Sequence, residues 1–273
     1  EIDEILKKVK RVHFIGIGGS GMCPLAEILF NEGYELSGSD NNETDTLARI
    51  RNMGIPVTLG QKAENIKGAE LIVYTAAILP DNPELVAAKN STIPTVERAD
   101  LLGAITRLYS DCYCVCGTHG KTTVSSMLTQ MMIQCGKDPS AVIGGKLPLI
   151  QSNGRVGKSE NMVCEACEFK DHFLKLDPDI AVILNVDADH LEYFKNIENI
   201  IKSFHTFATM AKKAVIYNGD DANTLKAVKG VGGKDMITFG LDKKNDYYAD
   251  NIEMVNAFGH FDAYKKGEKI GSM

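Results

Sequence analysis

The most informative segment of the chain is Val115-Cys116-Gly117-Thr118-His119-Gly120-Lys121-Thr122-Thr123. An apolar run, Cys112–Cys116, leads into it, and a short apolar run that ends at a glycine favours a buried strand. After it, apolar residues recur with the spacing of one helix face, at Val124, Met127, Leu128, Met131, Met132 and Cys135. The pattern predicts a strand, a glycine loop and a helix, which is the setting of a phosphate-binding loop.

Each residue type in this loop suits the binding of phosphate. Gly117 and Gly120 allow backbone N–H groups to close on phosphate oxygens, and the N-terminus of the following helix adds a positive partial charge. Lys121 reaches terminal phosphates, and the Thr122 hydroxyl can ligate a magnesium ion. Val115 stands where the motif G-x-x-x-x-G-K-[ST] has its first glycine, so the loop is a shortened form. The alternative is an ordinary strand-to-helix turn with an exposed lysine.

Strand-like and helix-like segments alternate along the chain. Besides Cys112–Cys116, the predicted strands are Arg11–Ile17, Tyr34–Ser39, Leu71–Thr75, Met162–Glu165, Ile180–Val186 and Ala214–Asn218. The predicted helices are Met22–Asn31, Thr44–Met53, Pro83–Lys89, Ala99–Leu108, Val124–Cys135, Lys170–Leu176, Ile197–Ala211 and Asp221–Val228. Such alternation is typical of parallel sheets covered by helices, so the expected fold class is α/β.

The predicted elements fall into two domains. We expect a Rossmann-like parallel-sheet domain over residues 1–108 and a P-loop-type α/β central domain over residues 109–273, because each half opens with a strand and a glycine loop. The end of the chain differs from the rest. There, Asp246–Val255 and Phe258–Lys265 read as paired strands joined by a turn near Asn256–Ala257.

The charge and composition of the chain limit the kinds of molecule that it is expected to bind. The formal net charge is -6 and the sequence pI is about 5.6, which argues against a nucleic-acid or anionic-membrane surface. No apolar run approaches the roughly 20 residues of a membrane span. The seven cysteines, an odd number, suit a reducing cytoplasm better than a disulfide framework. Cys164 and Cys167 form a C-x-x-C, for which zinc binding is the alternative to a structural role.

A second glycine loop lies near the start of the chain. Gly16–Gly21 satisfies G-x-G-x-x-G after a predicted strand, and Asp40 ends the next strand 24 residues after Gly16. Alone this pattern suggests an NAD-dependent dehydrogenase, although the same loop can hold any pyrophosphate. Asp40 could accept hydrogen bonds from a ribose or a base, or could simply be a turn residue. Two loops in one chain suggest two nucleotides, one carrying the substrate and one donating energy.

Two further residues end strands of the second half. Glu165 ends the strand Met162–Glu165, and His190 follows the strand Ile180–Val186. The carboxyl ends of parallel strands face the crevice that also holds the phosphate loop. There a carboxylate can ligate magnesium, and an imidazole can ligate a second magnesium or manganese ion. The alternatives are a lysine partner for Glu165 and a capping or surface role for His190.

Taken together, these motifs resemble the Mur ligase family, most closely its members that join L-alanine to UDP-N-acetylmuramate. The matching stretches are His13–Met22, Ser37–Asp40, Tyr74–Ile78, Asp81–Glu84, Gly117–Thr123, Glu165–Glu168 and Asn185–His190. The resemblance spans essentially the whole chain. It implies three domains, of which the last, with the end of the central one, would lie beyond residue 273, so we expect this chain alone to be inactive.

The resemblance also implies roles for individual residues. UDP-sugar binding falls to Gly16, Gly18, Gly19, Ser20, Gly21, Met22, Ser39 and Asp40. ATP binding falls to Gly117, Thr118, His119, Gly120, Lys121, Thr122 and Thr123. The metal ligands would be Thr122, Glu165 and His190, and the catalytic residues Lys121, Glu165 and His190. Some family members carry a carbamylated lysine, and neither Lys195 nor Lys202 can be assigned that role.

The implied reaction is ATP-dependent amide formation in peptidoglycan precursor synthesis, in the cytoplasm, with Mg²⁺ or Mn²⁺. The muramate carboxylate attacks the γ-phosphate of ATP to give an acyl phosphate, which the L-alanine amine then attacks. Three alternatives remain open from the sequence: a recycling ligase that adds a murein peptide to the same sugar, an NAD-dependent dehydrogenase, and a non-catalytic nucleotide-binding fragment. Ser20 and Met22 favour the alanine ligase over the recycling ligase.

Overall fold

The computed structural model describes residues 2–273, which form fifteen strands. In chain order they are β1 Arg11–Ile15, β2 Glu35–Asp40, β3 Val57–Leu59, β4 Leu71–Tyr74, β5 Thr95–Glu97, β6 Asp111–Cys116, β7 Ser140–Leu147, β8 Ser152–Arg155, β9 Asn161–Glu165, β10 Ile180–Ile183, β11 Ala214–Asn218, β12 Asp235–Gly240, β13 Tyr247–Val255, β14 Phe258–Lys265 and β15 Glu268–Ser272.

The same residues form nine α-helices. They are α1 Ile2–Leu6, α2 Cys23–Asn31, α3 Asp45–Asn52, α4 Pro83–Lys89, α5 Arg98–Thr106, α6 Lys121–Gln134, α7 Leu191–Phe194, α8 Ile197–Met210 and α9 Ala222–Val228. Short 3-10 segments occupy Ala63–Ile66, Pro148–Ile150 and Phe169–Lys175. Over the described part of the chain, no helix combines the length and the apolar character needed to cross a membrane.

The chain divides into two compact units. The first unit holds the residues up to Ser110 together with Ser125–Glu165, and the second unit holds Asp111–Val124 together with Ala166–Met273. The first unit contains a five-stranded sheet in the order β3-β2-β1-β4-β5. Every neighbouring pair in this sheet is parallel, which confirms the predicted parallel α/β architecture. It also contains β7, which pairs with β9 in parallel and with β8 antiparallel.

Local sequence explains how the helices of this sheet begin. Thr44 precedes α3, and its side chain accepts a hydrogen bond from the Leu47 N–H at 3.3 Å. Asn82 precedes α4 and accepts from the N–H groups of Glu84 and Leu85 at 3.0 and 3.1 Å. Such side-chain caps satisfy backbone donors that the helix itself leaves unpaired. The apolar face of α4 then packs on the sheet in a core cluster that comprises Ile15, Ile66, Ile72, Leu85 and Ala88.

A buried polar network lies beneath the first glycine loop. Its centre is the carboxylate of Glu84, which is fully buried. Glu84 Oε2 accepts a hydrogen bond from Ser39 Oγ at 2.7 Å and lies 3.1 Å from His13 Nε2. Its Oε1 accepts from Asn65. Burial alone would raise the pKa of this carboxyl, but its hydrogen bonds to His13, Asn65 and Ser39 outweigh burial and hold the pKa below the ordinary value of 4.5.

The second unit is built on a mixed sheet. β6, β10, β11, β12 and β13 pair in that order, each parallel to the next. β13, β14 and β15 then pair antiparallel. The rings of Phe173 and Phe207 stack at 4.8 Å, and Phe204 meets Phe173 edge-on at 5.1 Å, so aromatic side chains anchor α8 to the 3-10 segment Phe169–Lys175.

Most predicted elements are present within a few residues. The hairpin near the end of the chain is confirmed as β13 and β14, and Asn256 and Ala257 at its turn have positive φ values of 50° and 65°. The strand expected over Ile180–Val186 is present but ends at Ile183. The helix expected over Lys170–Leu176 was wrong, because that segment is a 3-10 helix that contains two left-handed residues. The strands β3, β5, β7, β8, β12 and β15 were not foreseen.

Replacing Glu84 tests the buried network. We expect Glu84→Ala to lower the free energy of unfolding by at least about 1–3 kcal/mol, the cost of one buried donor left unpaired. Urea denaturation followed by circular dichroism measures the effect. Glu64→Ala, at an exposed carboxylate on a neighbouring turn, is the matched control and should stay near wild type. Equal stability of the two variants would contradict the role given to Glu84.

The stability conferred by Glu84 should also depend on pH. Its pKa is lower in the folded protein than in the unfolded chain, so the ionised carboxylate stabilises the fold above about pH 4.5, and that contribution is lost as the pH falls below this value. We therefore expect the stability difference between wild type and Glu84→Gln to shrink between about pH 6 and pH 3.5. A constant difference across that range would rule out ionised Glu84 as the stabilising form.

Candidate functional site

The loop between β6 and α6 lies in the second unit and is fastened to the segment that follows β10. The Thr118 N–H donates to the Asn185 carbonyl at 3.1 Å, and the His119 N–H donates to Asn185 Oδ1 at 2.8 Å. Asn185 Nδ2 returns a hydrogen bond to the His119 carbonyl at 3.0 Å. Gly117 has φ 147°, and a Cβ there would lie 2.9 Å from Leu184 Cβ, so the close approach of the two segments requires glycine.

Lys121 begins α6 and turns its ammonium group back into this loop. Nζ donates to the carbonyls of Gly117 and Thr118 at 2.7 and 3.2 Å. It also donates to Glu168 Oε1 at 3.0 Å and lies 2.9 Å from Glu168 Oε2. The Glu168 side chain is only 4% exposed, and its Oε2 has no partner in hydrogen-bond geometry. The pair is therefore a buried ion pair at the mouth of the predicted phosphate loop.

His190 lies beside the same carboxylate. Its backbone is left-handed, with φ 50°, and its ring packs against Phe169 with 4.8 Å between the ring centroids. Nε2 lies 3.9 Å from Glu168 Oε1, while Nδ1 lies 3.6 Å from Glu192 Oε1 and 4.0 Å from Asp189 Oδ1. The structure thus brings two sequence-predicted site residues, Lys121 and His190, to a common acidic partner.

Three side chains at this place have a spacing that could hold a metal ion. One ligand atom from each of Glu168, Asp189 and His190 lies within 4.8 Å of the other two. Carboxylate oxygens suit Mg²⁺ and Mn²⁺, and imidazole suits transition metals. The Glu168 carboxylate already contacts one cation, because Lys121 Nζ lies 2.9 Å from its Oε2.

An unusual backbone segment holds these residues in place. Lys170 and Asp171 have successive positive φ values of 52° and 58°, which non-glycine residues rarely adopt. The Asp171 carboxylate accepts a hydrogen bond from the Tyr193 hydroxyl at 2.7 Å and another from Ser203 Oγ. Asp171 thereby ties the segment after Glu168 to α7 and α8. The hydrogen bond and the charge of Asp171 raise the pKa of the Tyr193 phenol above its ordinary value of 10.0.

Glu165, the predicted carboxylate ligand, lies at the end of β9 in the first unit. Its Oε2 accepts a hydrogen bond from the Gly144 N–H at 2.7 Å and lies 3.5 Å from Ser125 Oγ. A Cβ at Gly144 would lie 2.5 Å from Glu165 Oε1, so β7 approaches this carboxylate too closely for any side chain at that position. Thr122 and Thr123 open α6, where their backbone groups belong to the first helical turn.

The first glycine loop is braced by the strand beside it. The N–H groups of Gly16 and Ile17 donate to the Ser39 carbonyl at 2.9 and 3.0 Å, and the Gly18 N–H donates to Asp40 Oδ2 at 3.0 Å. Asp40 Oδ1 accepts from the Asn42 N–H at 3.2 Å, in keeping with the alternative role of a turn residue. The Met22 and Ser39 side chains are buried, so a ligand on this loop would meet the backbone at those two positions.

A cavity of about 270 Å³ opens beside the first glycine loop, within the first unit. Gly18 and Ser20 line it on one side, α3 contributes Arg49, and the β7–β8 hairpin contributes Lys146 and Asn153. Asn153 Nδ2 donates to the Ser20 carbonyl. Arg49 lies 2.7 Å from Glu27 Oε1, which leaves the guanidinium partly paired within the cavity wall.

Sequence reasoning missed several of these residues. Glu168 was quoted in the matching stretch but received no role, although it follows Glu165 by three positions at the end of a strand. Asn185 and Asp189 lie in the same run as His190 and were also passed over. Asp171 was placed inside an expected helix, so its link to Tyr193 could not be foreseen. Arg49 and Lys146 gave no local signal, because the chain brings them together only through the fold.

The sheets and the two glycine loops have the architecture of an α/β nucleotide-binding protein. Two family models match the chain, "Mur ligase family, catalytic domain" over residues 11–110 and "Mur ligase middle domain" over residues 115–272. The chain belongs to the Mur ligase family.

Two similar curated proteins carry the same name, UDP-N-acetylmuramate--L-alanine ligase. A UDP-N-acetylmuramate--L-alanine ligase of Caldanaerobacter subterraneus is 45% identical over 274 residues, which cover 99% of this chain and 59% of that protein. The protein of the same name from Acetivibrio thermocellus is 45% identical over 267 residues, which cover 96% of this chain and 57% of that protein. The chain therefore spans less than two thirds of the length of these relatives.

Solved structures show the same fold. The UDP-N-acetylmuramate-alanine ligase MurC of Thermotoga maritima superposes with a TM-score of 0.82 and 27% identity, over 96% of this chain and 60% of that one. A UDP-N-acetylmuramate:L-alanyl-gamma-D-glutamyl-meso-diaminopimelate ligase from Neisseria meningitides superposes with a TM-score of 0.84 and 24% identity, over 97% of this chain and 86% of that one.

Removing the Asp171 carboxylate tests the hydrogen bond that links Asp171 to Tyr193 of α7. We expect Asp171→Asn to lower the pKa of Tyr193 toward 10.0, because the negative charge that opposes phenolate formation is gone. Spectrophotometric titration of the tyrosines, with Tyr193→Phe to identify the contribution of this residue, measures the shift. Asp187→Asn removes a carboxylate from the neighbouring loop and should leave that contribution unchanged. Identical titrations of wild type and Asp171→Asn would show that the hydrogen bond does not persist in solution.

Proposed function

We propose that this chain forms the UDP-sugar-binding and ATP-binding parts of a ligase that joins L-alanine to UDP-N-acetylmuramate. The single observation that carries the proposal is the phosphate loop of a Mur ligase middle domain, with Lys121 turned into it beside Glu168 and His190. The names of the relatives at 45% identity support the choice of substrates. The family assignment favours this function over an NAD-dependent dehydrogenase.

ATP would bind on the loop Gly117–Thr123. The N–H groups of this loop and the start of α6 offer positive ends of backbone dipoles to the phosphates. The Lys121 ammonium is already directed into the loop and can transfer from Glu168 to a phosphate oxygen. Two anions, a carboxylate and a triphosphate, must approach each other in this reaction, and the lysine would offset their repulsion.

Mg²⁺ or Mn²⁺ would be held by Thr122, Glu165 and His190. The hydroxyl, carboxylate and imidazole donors suit either ion. When bound, such an ion supplies charge neutralisation of the transferring phosphoryl group. The fixed left-handed backbone of His190 and its contact with Phe169 orient the imidazole for this role.

The UDP-sugar would bind on the loop Gly16–Gly21, with the diphosphate against backbone N–H groups. The adjoining cavity is lined by two cationic side chains, Arg49 and Lys146, and one acidic side chain, Asp45. The two cations would contact the anionic groups of a sugar derivative. Asp40, which fixes the Gly18 N–H, would shape the loop from beneath.

The proposed reaction has two steps, phosphoryl transfer and amide formation. A carboxylate oxygen of the muramate forms a bond to the γ-phosphorus of ATP, and the bond to the β–γ bridging oxygen breaks, giving an acyl phosphate and ADP. The alanine amine then adds to the acyl carbon, phosphate leaves, and the nitrogen loses a proton. Positioning supplies most of the catalysis in such a transfer. The product serves peptidoglycan synthesis, and hence cell wall biogenesis, cell shape and division, in the cytoplasm.

The partners of this proposal are small molecules and the rest of the polypeptide. We place the domain boundary between residues 108 and 109, and we propose that the segment that the longer relatives have beyond this match completes the site for ATP and L-alanine. Neither a nucleic acid nor a membrane is required as a partner.

Lys121→Ala tests the assignment of two separate binding sites. In the full-length protein it should abolish ATP-dependent ligation and leave the affinity for UDP-N-acetylmuramate nearly unchanged, because the sugar is assigned to the loop Gly16–Gly21. Calorimetric titration measures both affinities. Lys229→Ala, an exposed lysine of the second unit, is the matched control. Comparable loss of sugar binding and ATP binding in Lys121→Ala would overturn the assignment.

The choice of acceptor separates the two ligase reactions. Phosphate release by the full-length protein with ATP and UDP-N-acetylmuramate should be stimulated by L-alanine and not by L-alanyl-γ-D-glutamyl-meso-diaminopimelate. Stimulation by the tripeptide alone would replace the proposed reaction by that of a recycling ligase.

A further inference from the structure

The buried carboxylate of Glu168 lies directly against the lysine of the predicted phosphate loop. Both of its oxygens lie within 3.0 Å of Lys121 Nζ. The carboxylate lies 3.9 Å from His190 Nε2, which carries a positive charge only when protonated. Because the Glu168 side chain is 4% exposed, water contributes little to the solvation of its charge.

The negative charge of Glu168 affects the ionisation of a neighbouring thiol, that of Cys116. Burial raises the pKa of the Cys116 thiol well above its ordinary value of 9.0, and the nearby Glu168 carboxylate raises it further. Cys116 is the last residue of β6, directly before the loop. Glu168 contacts Lys121, whose ammonium also donates to the Gly117 and Thr118 carbonyls, so its charge acts on any charge that the loop receives.

Lys121 donates to several acceptors. They include the Gly117 carbonyl, the Thr118 carbonyl and the Glu168 carboxylate. A phosphate that takes over this ammonium must compete with Glu168, and it brings a second negative charge near a buried one. Removing one partner of a buried ion pair is costly, because the other charge stays behind without compensation.

We propose that Glu168 is a positioning residue for the phosphate-loop lysine. Without nucleotide its carboxylate holds the Lys121 ammonium inside the loop, and a nucleoside triphosphate binds by taking that ammonium over. After the reaction, Glu168 draws the lysine back and so favours release of the nucleoside diphosphate. This inference rests on the proposed binding of ATP at Gly117–Thr123 and adds to it a residue that opposes nucleotide binding and speeds product release.

Substitutions of Glu168 in the full-length protein test this role through nucleotide affinity. Glu168→Gln should bind ATP and ADP about tenfold more tightly than wild type, a coupling typical of two linked states. Its KM for ATP and its kcat should both fall, because the product is retained. Glu168→Asp keeps the negative charge on a shorter side chain. Its affinity for nucleotide should lie between those of wild type and Glu168→Gln. Glu198→Gln removes an exposed carboxylate of α8 and should match wild type.

A second readout follows Lys121 itself. Acetylation of lysines by a limiting amount of an N-hydroxysuccinimide ester, read by mass spectrometry without nucleotide, should modify Lys121 at least several-fold faster in Glu168→Gln than in wild type. A merely structural role of Glu168 would raise the labelling of many lysines, whereas the proposed role raises that of Lys121. The reaction at Lys229 is the internal control.

The outcomes distinguish this inference from the proposed function. Normal ATP binding by wild type, combined with unchanged or weaker binding by Glu168→Gln, would overturn the role of Glu168 and leave the ligase proposal standing. If Glu168→Gln does not fold, the affinity of Glu168→Asp for ATP is the deciding measurement. Tighter binding than wild type supports the role of Glu168 as a positioning residue, and equal binding overturns it. Absence of ATP binding by wild type would overturn both proposals.

Discussion

The ion pair between Lys121 and Glu168 is the interaction on which the second unit's site depends. The Lys121 ammonium contacts Glu168 from the loop before α6, and Asn185 fastens that loop to the segment after β10. That fold requires glycine at position 117, where a side chain would collide with Leu184. The parallel pairing of β6 and β10 sets the two loops side by side at the same edge of the sheet. The position of one charge therefore depends on sheet topology, on a glycine and on the Asn185 hydrogen bonds together.

The glycine loop of the first unit is held by different contacts from those of the loop Gly117–Thr123. No lysine enters the loop Gly16–Gly21 itself, and the loop is held from beneath by the Ser39 carbonyl and the Asp40 carboxylate. The Ser39 hydroxyl in turn donates to the buried Glu84. The loop is thus braced by a network whose own carboxylate is kept ionised by its hydrogen bonds. A backbone loop braced in this way suits the binding of a substrate's diphosphate, whereas the Lys121 ammonium at the other loop suits a phosphate that is transferred.

Regular patterns in the sequence were sufficient to predict much of the fold. Buried strands such as β1 and β6 are apolar runs between turn signals, and capped helices such as α4 have a recognisable start. The missed strands are short or lie at sheet edges, as with Val57–Leu59 and Thr95–Glu97, and their few residues leave too little pattern to detect. Of the site, sequence suggested the lysine and the histidine through their motifs. The contact of Glu168 with Lys121, 47 positions apart, is set by strand pairing and leaves no local pattern.

The two glycine loops are distinguished by which of them binds ATP. A crystal structure of the full-length protein with a non-hydrolysable ATP analogue and Mn²⁺ should show the triphosphate on the N–H groups of Gly117–Thr123. In that structure the Lys121 ammonium should lie on phosphate oxygens instead of on Glu168. A triphosphate bound to Gly16–Gly21, with Lys121 still paired to Glu168, would contradict the assignment of ATP to the loop Gly117–Thr123.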